Sequence, residues 1–162
     1  MRPRSVEESR VIMTELVLPN DTNPLGNIMG GRVMHLIDVA AAIAAGRHAG
    51  RPSVTAAIDE IVFHEPVPMG SVLMLLASVN YVARTSMEVG VRVEMEDRTT
   101  RERRHTASAY LTFVAVGEDR KPMQVPPLEA VSTEDKRRMR EAEERRARRL
   151  ERRGRKRGRP EA

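Results

Sequence analysis

Residues 19–51 read PNDTNPLGNIMGGRVMHLIDVAAAIAAGRHAGR, a turn-rich loop that runs into a long stretch of small and apolar residues. Val33, Leu36, Ile37, Ala40, Ala41 and Ala44 recur at intervals of three and four, which predicts a helix over about 30–48. Met34, Ala42, Ile43 and Ala45 make much of its remaining surface apolar or small, and a helix apolar nearly all round is a buried one. Arg47 and His48 suit the negative end of the helix dipole, and Gly50 is a plausible stop. In the middle of this helix stands one carboxylate, Asp38, with no Arg or Lys three or four residues away and only His35 near it on that face.

Around the helix the chain reads as strands. They are expected at about 9–17, 53–64, 71–82, 86–96 and 104–116. The fourth alternates strictly, Met87, Val89, Val91, Val93 and Met95 against Glu88, Gly90, Arg92, Glu94 and Glu96. The fifth sets Ala107, Ala109, Leu111, Phe113 and Ala115 on one face. Pro122, Pro126 and Pro127 end the ordered sheet. Short connections between the last four strands favour antiparallel pairing. The expectation is an α+β fold, one five-stranded antiparallel sheet curled round one long central helix, with open edges suited to edge-to-edge dimerisation.

Composition narrows the function. There are no cysteines, which excludes disulfides and thiolate chemistry, and no apolar run long enough to span a membrane. The first ten residues lack the apolar core of a secretion signal. A soluble cytoplasmic protein is expected. The net charge of +5 is uneven. Residues 131–162 hold 14 Lys and Arg against 7 Asp and Glu, while residues 1–130 hold 14 against 16. The chain therefore divides into a near-neutral domain, 1–130, and a basic tail, 131–162. Only Met139, Ala142, Ala147 and Leu150 are non-polar in the tail's helical stretch, so a solvated helix to about residue 150, fraying into disorder, is expected. A basic tail without stacking aromatics counts against a specific nucleic-acid role.

Two features of the opening stretch carry chemistry. Asp38 in an apolar helix reads as a buried, unpaired carboxylate whose pKa low dielectric would raise toward that of a general base. The GNIMGG segment, with Asn27, Gly30 and Gly31 at a helix start, offers backbone N–H groups to an oxyanion or a phosphate. The two lie about 12 Å apart along one helix, which favours a site shared between two chains with antiparallel helices. His35, His48, His64 and His105 have no metal-ligand spacing, no GxSxG elbow is present, and Arg84 and Ser86 sit in a polar turn between strands.

The series PNDTNPLGNIMGG, VMHLIDVAAAIAAGRHA, VTAAIDEIVFHEPVPMGSV, ARTSMEV, ASAYLTFVAV and KPMQVPPL, over about 8–130, resembles the hotdog-fold acyl-CoA thioesterases, the group of the bacterial YciA-like enzymes and the cytosolic acyl-CoA hydrolases of animals. The resemblance implies a double-hotdog dimer, often in trimers of dimers, that hydrolyses fatty acyl-CoA and needs no cofactor or metal, CoA being part of the substrate. It makes Asp38 the general base or nucleophile and Asn27 its counterpart from the partner subunit. It gives the thioester carbonyl to the N–H groups of Gly30 and Gly31, places Thr55 and Ser86 near the substrate, and suggests Arg84 as a phosphate contact. Two other readings stay open. One is a different hotdog chemistry such as a hydratase or dehydratase, against which stands the lack of a His in GNIMGG. The other is a non-catalytic CoA-binding protein or one whose basic tail binds RNA.

Overall fold

The computed structural model describes residues 1–157. Its elements run β1 (Arg4–Ser5), α1 (Val6–Ser9), β2 (Val11–Leu16), a 3-10 turn (Pro19–Asp21), α2 (Gly30–Ala49), β3 (Ser53–Phe63), β4 (Val72–Val82), β5 (Ser86–Glu96), β6 (Arg103–Ala115), β7 (Leu128–Glu129) and α3 (Thr133–Arg157). Five strands form one antiparallel sheet around α2, the hotdog arrangement. The helix buries the expected stripe, extended by Ala45, His48 and Ala49. Ala40, Ala41, Ala44 and Ala45 are fully buried, so the sheet closes directly onto the helix backbone. Facing them are Leu73, Leu75, Val79, Val89, Leu111 and Phe113, also fully buried, each worth about 1.5–3 kcal/mol of apolar burial. Gly50 ends the helix in the left-handed region at φ 67°, and Arg4 Nη1 donates to the otherwise free carbonyls of Arg47 and His48 at 2.6 and 2.9 Å.

The strand order is β2-β4-β5-β6-β3, which differs from a succession of neighbouring strands. The segment from His64 to Ser71 is not a hairpin. Pro66 and Pro68 cannot donate ladder hydrogen bonds. Their neighbours instead pair with the loop before α2, Ile28 N–H donating to the Val67 carbonyl at 2.8 Å and Met69 N–H to that of Gly26 at 2.9 Å. The chain thus crosses the sheet from β3 to β4, the interior strand beside β2, and β3 is left as an edge strand beside β6. The expected first strand is shorter at its start because Ser5 and Glu8 form a reciprocal cap around the single turn of α1. The β5 alternation holds, with Met87, Val89, Val91, Val93 and Met95 inward. On the outer face, a Cβ at Gly90 would fall 2.5 Å from Nδ2 of buried Asn80, so that position tolerates no side chain while Asn80 keeps its place.

The C-terminal segment departs from expectation. Helix α3 is not simply solvated; it lies along the outer face of the sheet. Ala142 is fully buried. Arg145 makes a bidentate pair with Glu88, 2.7 and 3.1 Å, and stacks its guanidinium 3.7 Å from the Tyr110 ring centre. Arg149 reaches Asp59 on β3 at 2.5 Å. The packing stripe is built from arginine stems and charges, which a count of apolar residues does not register. The helix also runs past residue 150 to Arg157, and the disorder expected at the very end falls on residues 158–162, outside the described residues. No described helix is long and apolar enough to cross a membrane.

His48 ties the end of α2 to the segment after β6. Its Nε2–H donates to the Pro126 carbonyl at 2.9 Å, and Nδ1 is buried without a hydrogen-bond partner. Burial, opposed by the Pro126 bond, holds the imidazole below its ordinary value. A histidine depressed in the folded state takes up its proton more readily when unfolded, so stability falls as pH drops from about 6.5 toward the folded value. His105 is also depressed, so the comparison needs a variant. The urea midpoint of the wild type is expected to fall more between pH 7.5 and about 5 than that of His48→Gln. Parallel curves would exclude His48 as the cause.

Candidate active site

The loop before α2 is folded by its own polar residues. Asn23 Oδ1 accepts from the N–H groups of Leu25 and Asn27 at 3.0 and 3.2 Å, an Asx turn that reverses the chain. Gly26 sits at φ 77°, where a side chain would be strained. With Oδ1 committed to the turn, Nδ2 is the end of the Asn23 amide free in direction to donate to a ligand. Helix α2 then starts at Gly30 behind Met29, which supplies no side-chain cap. The first N–H groups of the helix therefore lack intrahelical partners. A Cβ at Gly31 would meet nothing within 4 Å, and one at Gly30 would meet only the Phe63 ring at 3.6 Å. The chain's own packing does not demand glycine at either position. Asn23, Asn27, Gly30 and Phe63 share the wall of one open cavity of about 420 Å³.

Asp38 stands two turns further along and does not line that cavity. Thr55 Oγ1, on edge strand β3, donates to Asp38 Oδ1 at 2.7 Å. The expected buried, unpaired carboxylate is not what a single chain contains. Asp38 is half-buried and hydrogen-bonded, because the sheet ends at β3 and leaves that side of the helix open. Met34, Ile43 and Ile58 are exposed on α2 and β3.

The remaining expected residues fall elsewhere. Arg84 is exposed in the turn between β4 and β5, where its carbonyl accepts from Val125 N–H at 3.2 Å. Ser86 is in register with Val114, and Val114 with Val54. Thr55 is in register with Phe113, and Phe113 with Met87. Ser86 and Thr55 therefore occupy opposite faces near the same end of the sheet. The structure joins Asp38 to Thr55, and Asn27 to Gly30 together with Asn23 and Phe63, two residues the sequence reading did not single out. It does not bring Arg84 or Ser86 to either group. Among the described residues no three His, Cys, Asp or Glu side chains form a metal-binding set.

Comparison with known proteins bears on this arrangement. The sequence pattern of the thioesterase superfamily matches residues 25–102. The uncharacterized acyl-CoA thioester hydrolase YkhA of Bacillus subtilis is 41% identical over 123 residues, 76% of this chain and 72% of that protein. An apo-hexameric acyl-CoA thioesterase superposes with a TM-score of 0.91 at 44% identity, covering 94% of this chain and 97% of that one. The acyl-CoA hydrolase of Staphylococcus aureus, solved with butyryl coenzyme A, coenzyme A and coenzyme A disulfide, superposes at 0.89 with 36% identity, covering 95% of this chain and 94% of that one. Solved variants of the S. aureus protein replace one aspartate, one asparagine and one threonine by alanine. There the asparagine precedes the aspartate by 15 positions, and the threonine follows it by 17.

Proposed function

The chain belongs to the thioesterase superfamily, and from that premise we propose that it hydrolyses acyl-coenzyme A to a free fatty acid and CoA thiol. The observation that carries the reading is the Asp38–Thr55 hydrogen bond taken with the intervals around it. Positions 23, 38 and 55 of this chain are Asn, Asp and Thr, separated by 15 and 17, the intervals of the residues replaced in the S. aureus hydrolase. This favours Asn23 over Asn27 as the asparagine that meets the substrate. Asn27 keeps a supporting place in the same cavity wall.

In this mechanism Thr55 holds Oδ1 of Asp38, leaving Oδ2 to take a proton from water. The water attacks the thioester carbonyl, whose oxygen is held by Asn23 Nδ2 and the N–H groups of Gly30 and Gly31. The tetrahedral intermediate collapses, the carbon–sulfur bond breaks, and CoA leaves as its thiolate, which takes up the proton that Asp38 accepted, so that the base is restored. Because Asp38 lies about 12 Å along the helix from the carbonyl cradle, the base comes from one chain and the cradle from another. The exposed Met34, Ile43 and Ile58 beside edge strand β3 are the surface on which a second copy would complete the site. Trimers of such dimers would give a hexamer. Arg84 and Ser86, at the Thr55 end of the sheet, are proposed as contacts to the CoA portion from the chain that supplies the base.

Free thiol released from acyl-CoAs of increasing chain length is the direct measurement. Enzyme-dependent release from part of that series is expected. If the folded, oligomeric protein released none while CoA still raised its melting temperature, the chain would be a CoA-binding protein and the catalytic reading would fall.

A further inference from the structure

We infer that Phe63 is the wall that limits acyl chain length, and that the chain lies in the cavity beside the start of α2. The inference rests on the acyl-CoA hydrolase reading above and goes on to name which part of the substrate the cavity takes. The protein has only two phenylalanines. Phe113 is fully buried in the core. Phe63, the last residue of β3, is 49% exposed. Its cross-strand partner is Ala107, which adds no bulk. Its ring sits beside the helix start, with Cζ 3.6 Å and Cε2 4.0 Å from where a Cβ on Gly30 would be. In the single chain this aromatic ring is left half-free against a glycine, apolar surface available to an acyl chain or to a second copy along β3.

The cavity has the polarity of an acyl group. Its lining includes Asn23, Asn27 and Gly30 at the helix start, which suit a carbonyl, and Val33, Phe63 and Pro66, which add apolar surface. No Arg or Lys lines it, and the charged or titratable residues that do are Glu65 and His64. The lining thus supplies no cation to hold the phosphates of CoA, and Glu65 is itself paired with Arg104 at 4.0 Å. Among the apolar residues Val33, Ile28 and Val67 are buried and held by the core, and Leu25 projects into solvent. Phe63 alone is both large and only partly held. Changing it changes the cavity without opening the core.

The test is kcat/KM across an acyl-CoA series, from acetyl to palmitoyl, for the wild type, Phe63→Ala and Phe63→Trp. Thermal melts and light scattering confirm that each variant keeps its fold and assembly. Phe63→Ala is expected to raise the ratio of long-chain to short-chain activity by about tenfold or more, the size of effect that one or two methylenes have in an apolar pocket. Phe63→Trp is expected to move the ratio the other way. A change equal at every chain length would mean that Phe63 meets the CoA portion, and it would overturn the inference, as would an unchanged profile. If Phe63→Ala loses its assembly, Phe63→Leu answers the same question, with a smaller shift in the same direction expected and a flat profile again negative. A wild type that cleaves no acyl-CoA would fail the parent reading instead, so the two failures are distinct.

Discussion

Asp38→Asn is expected to lower kcat at least about a hundredfold, the usual scale of a general-base contribution, while the melting temperature stays near that of the wild type. The amide keeps the size of the carboxylate, and its oxygen can still accept the Thr55 hydroxyl proton that Oδ1 accepts at 2.7 Å. It cannot take a proton from water. Asp38→Ala should be as slow, because the lost element is the base in both. Stability should hardly move, since Asp38 is half-buried and at the open side of the helix, where no core contact depends on it. Thr55→Val should cost less, because it loosens the carboxylate without removing it. Single-turnover kinetics would show the Asp38 effect in the chemical step. Full activity in Asp38→Asn would sink the assignment.

Asn23→Asp is expected to lose about 10²–10³ in kcat, the range for removing one donor from an oxyanion site. The substitution separates two duties of this side chain. Asp retains the oxygen that accepts from Leu25 and Asn27 N–H, so the turn survives, but it has no Nδ2 to donate. Asn27→Ala should be milder. The same variant tests whether the site is shared. After subunit exchange between Asn23→Asp and Asp38→Asn proteins, mixed dimers hold one intact site and one doubly altered site. Random exchange should then restore about a quarter of wild-type activity from two nearly inactive parents. No recovery, with exchange demonstrated by mass, would place both residues in one protomer's site.

Much of the fold was legible because its signals are local. The stripe from Val33 to Ala44 and the alternation from Met87 to Met95 each follow from one element's period, and both match the observed elements. The strand order was not legible, because it depends on where the segment from His64 to Ser71 finds hydrogen-bond partners, and those lie in a loop some forty residues earlier. The half-buried environment of Asp38 was not legible for a related reason. A helix apolar all round looks buried, but one sheet covers only part of it, and the uncovered side is what a second chain would see. Asn23 reads in the sequence as a turn residue, and the structure does use it in a turn. Only the interval to Asp38 distinguishes it from Asn27, and an interval carries meaning only beside a second sequence.

Helix α3 shows that equal charge is not equal chemistry. By composition alone, its arginines and lysines are interchangeable. Arg145 is not, because one flat guanidinium forks onto both oxygens of Glu88, which is 3% exposed, and lies against the Tyr110 ring at the same time. A lysine ammonium is a point donor and cannot do both. At exposed Arg140, Arg148 and Arg152 nothing in the described contacts asks for that shape. Among its described residues the helix therefore contains two alphabets: positions such as Arg145, where the shape of arginine is used, and exposed ones where either basic residue would serve.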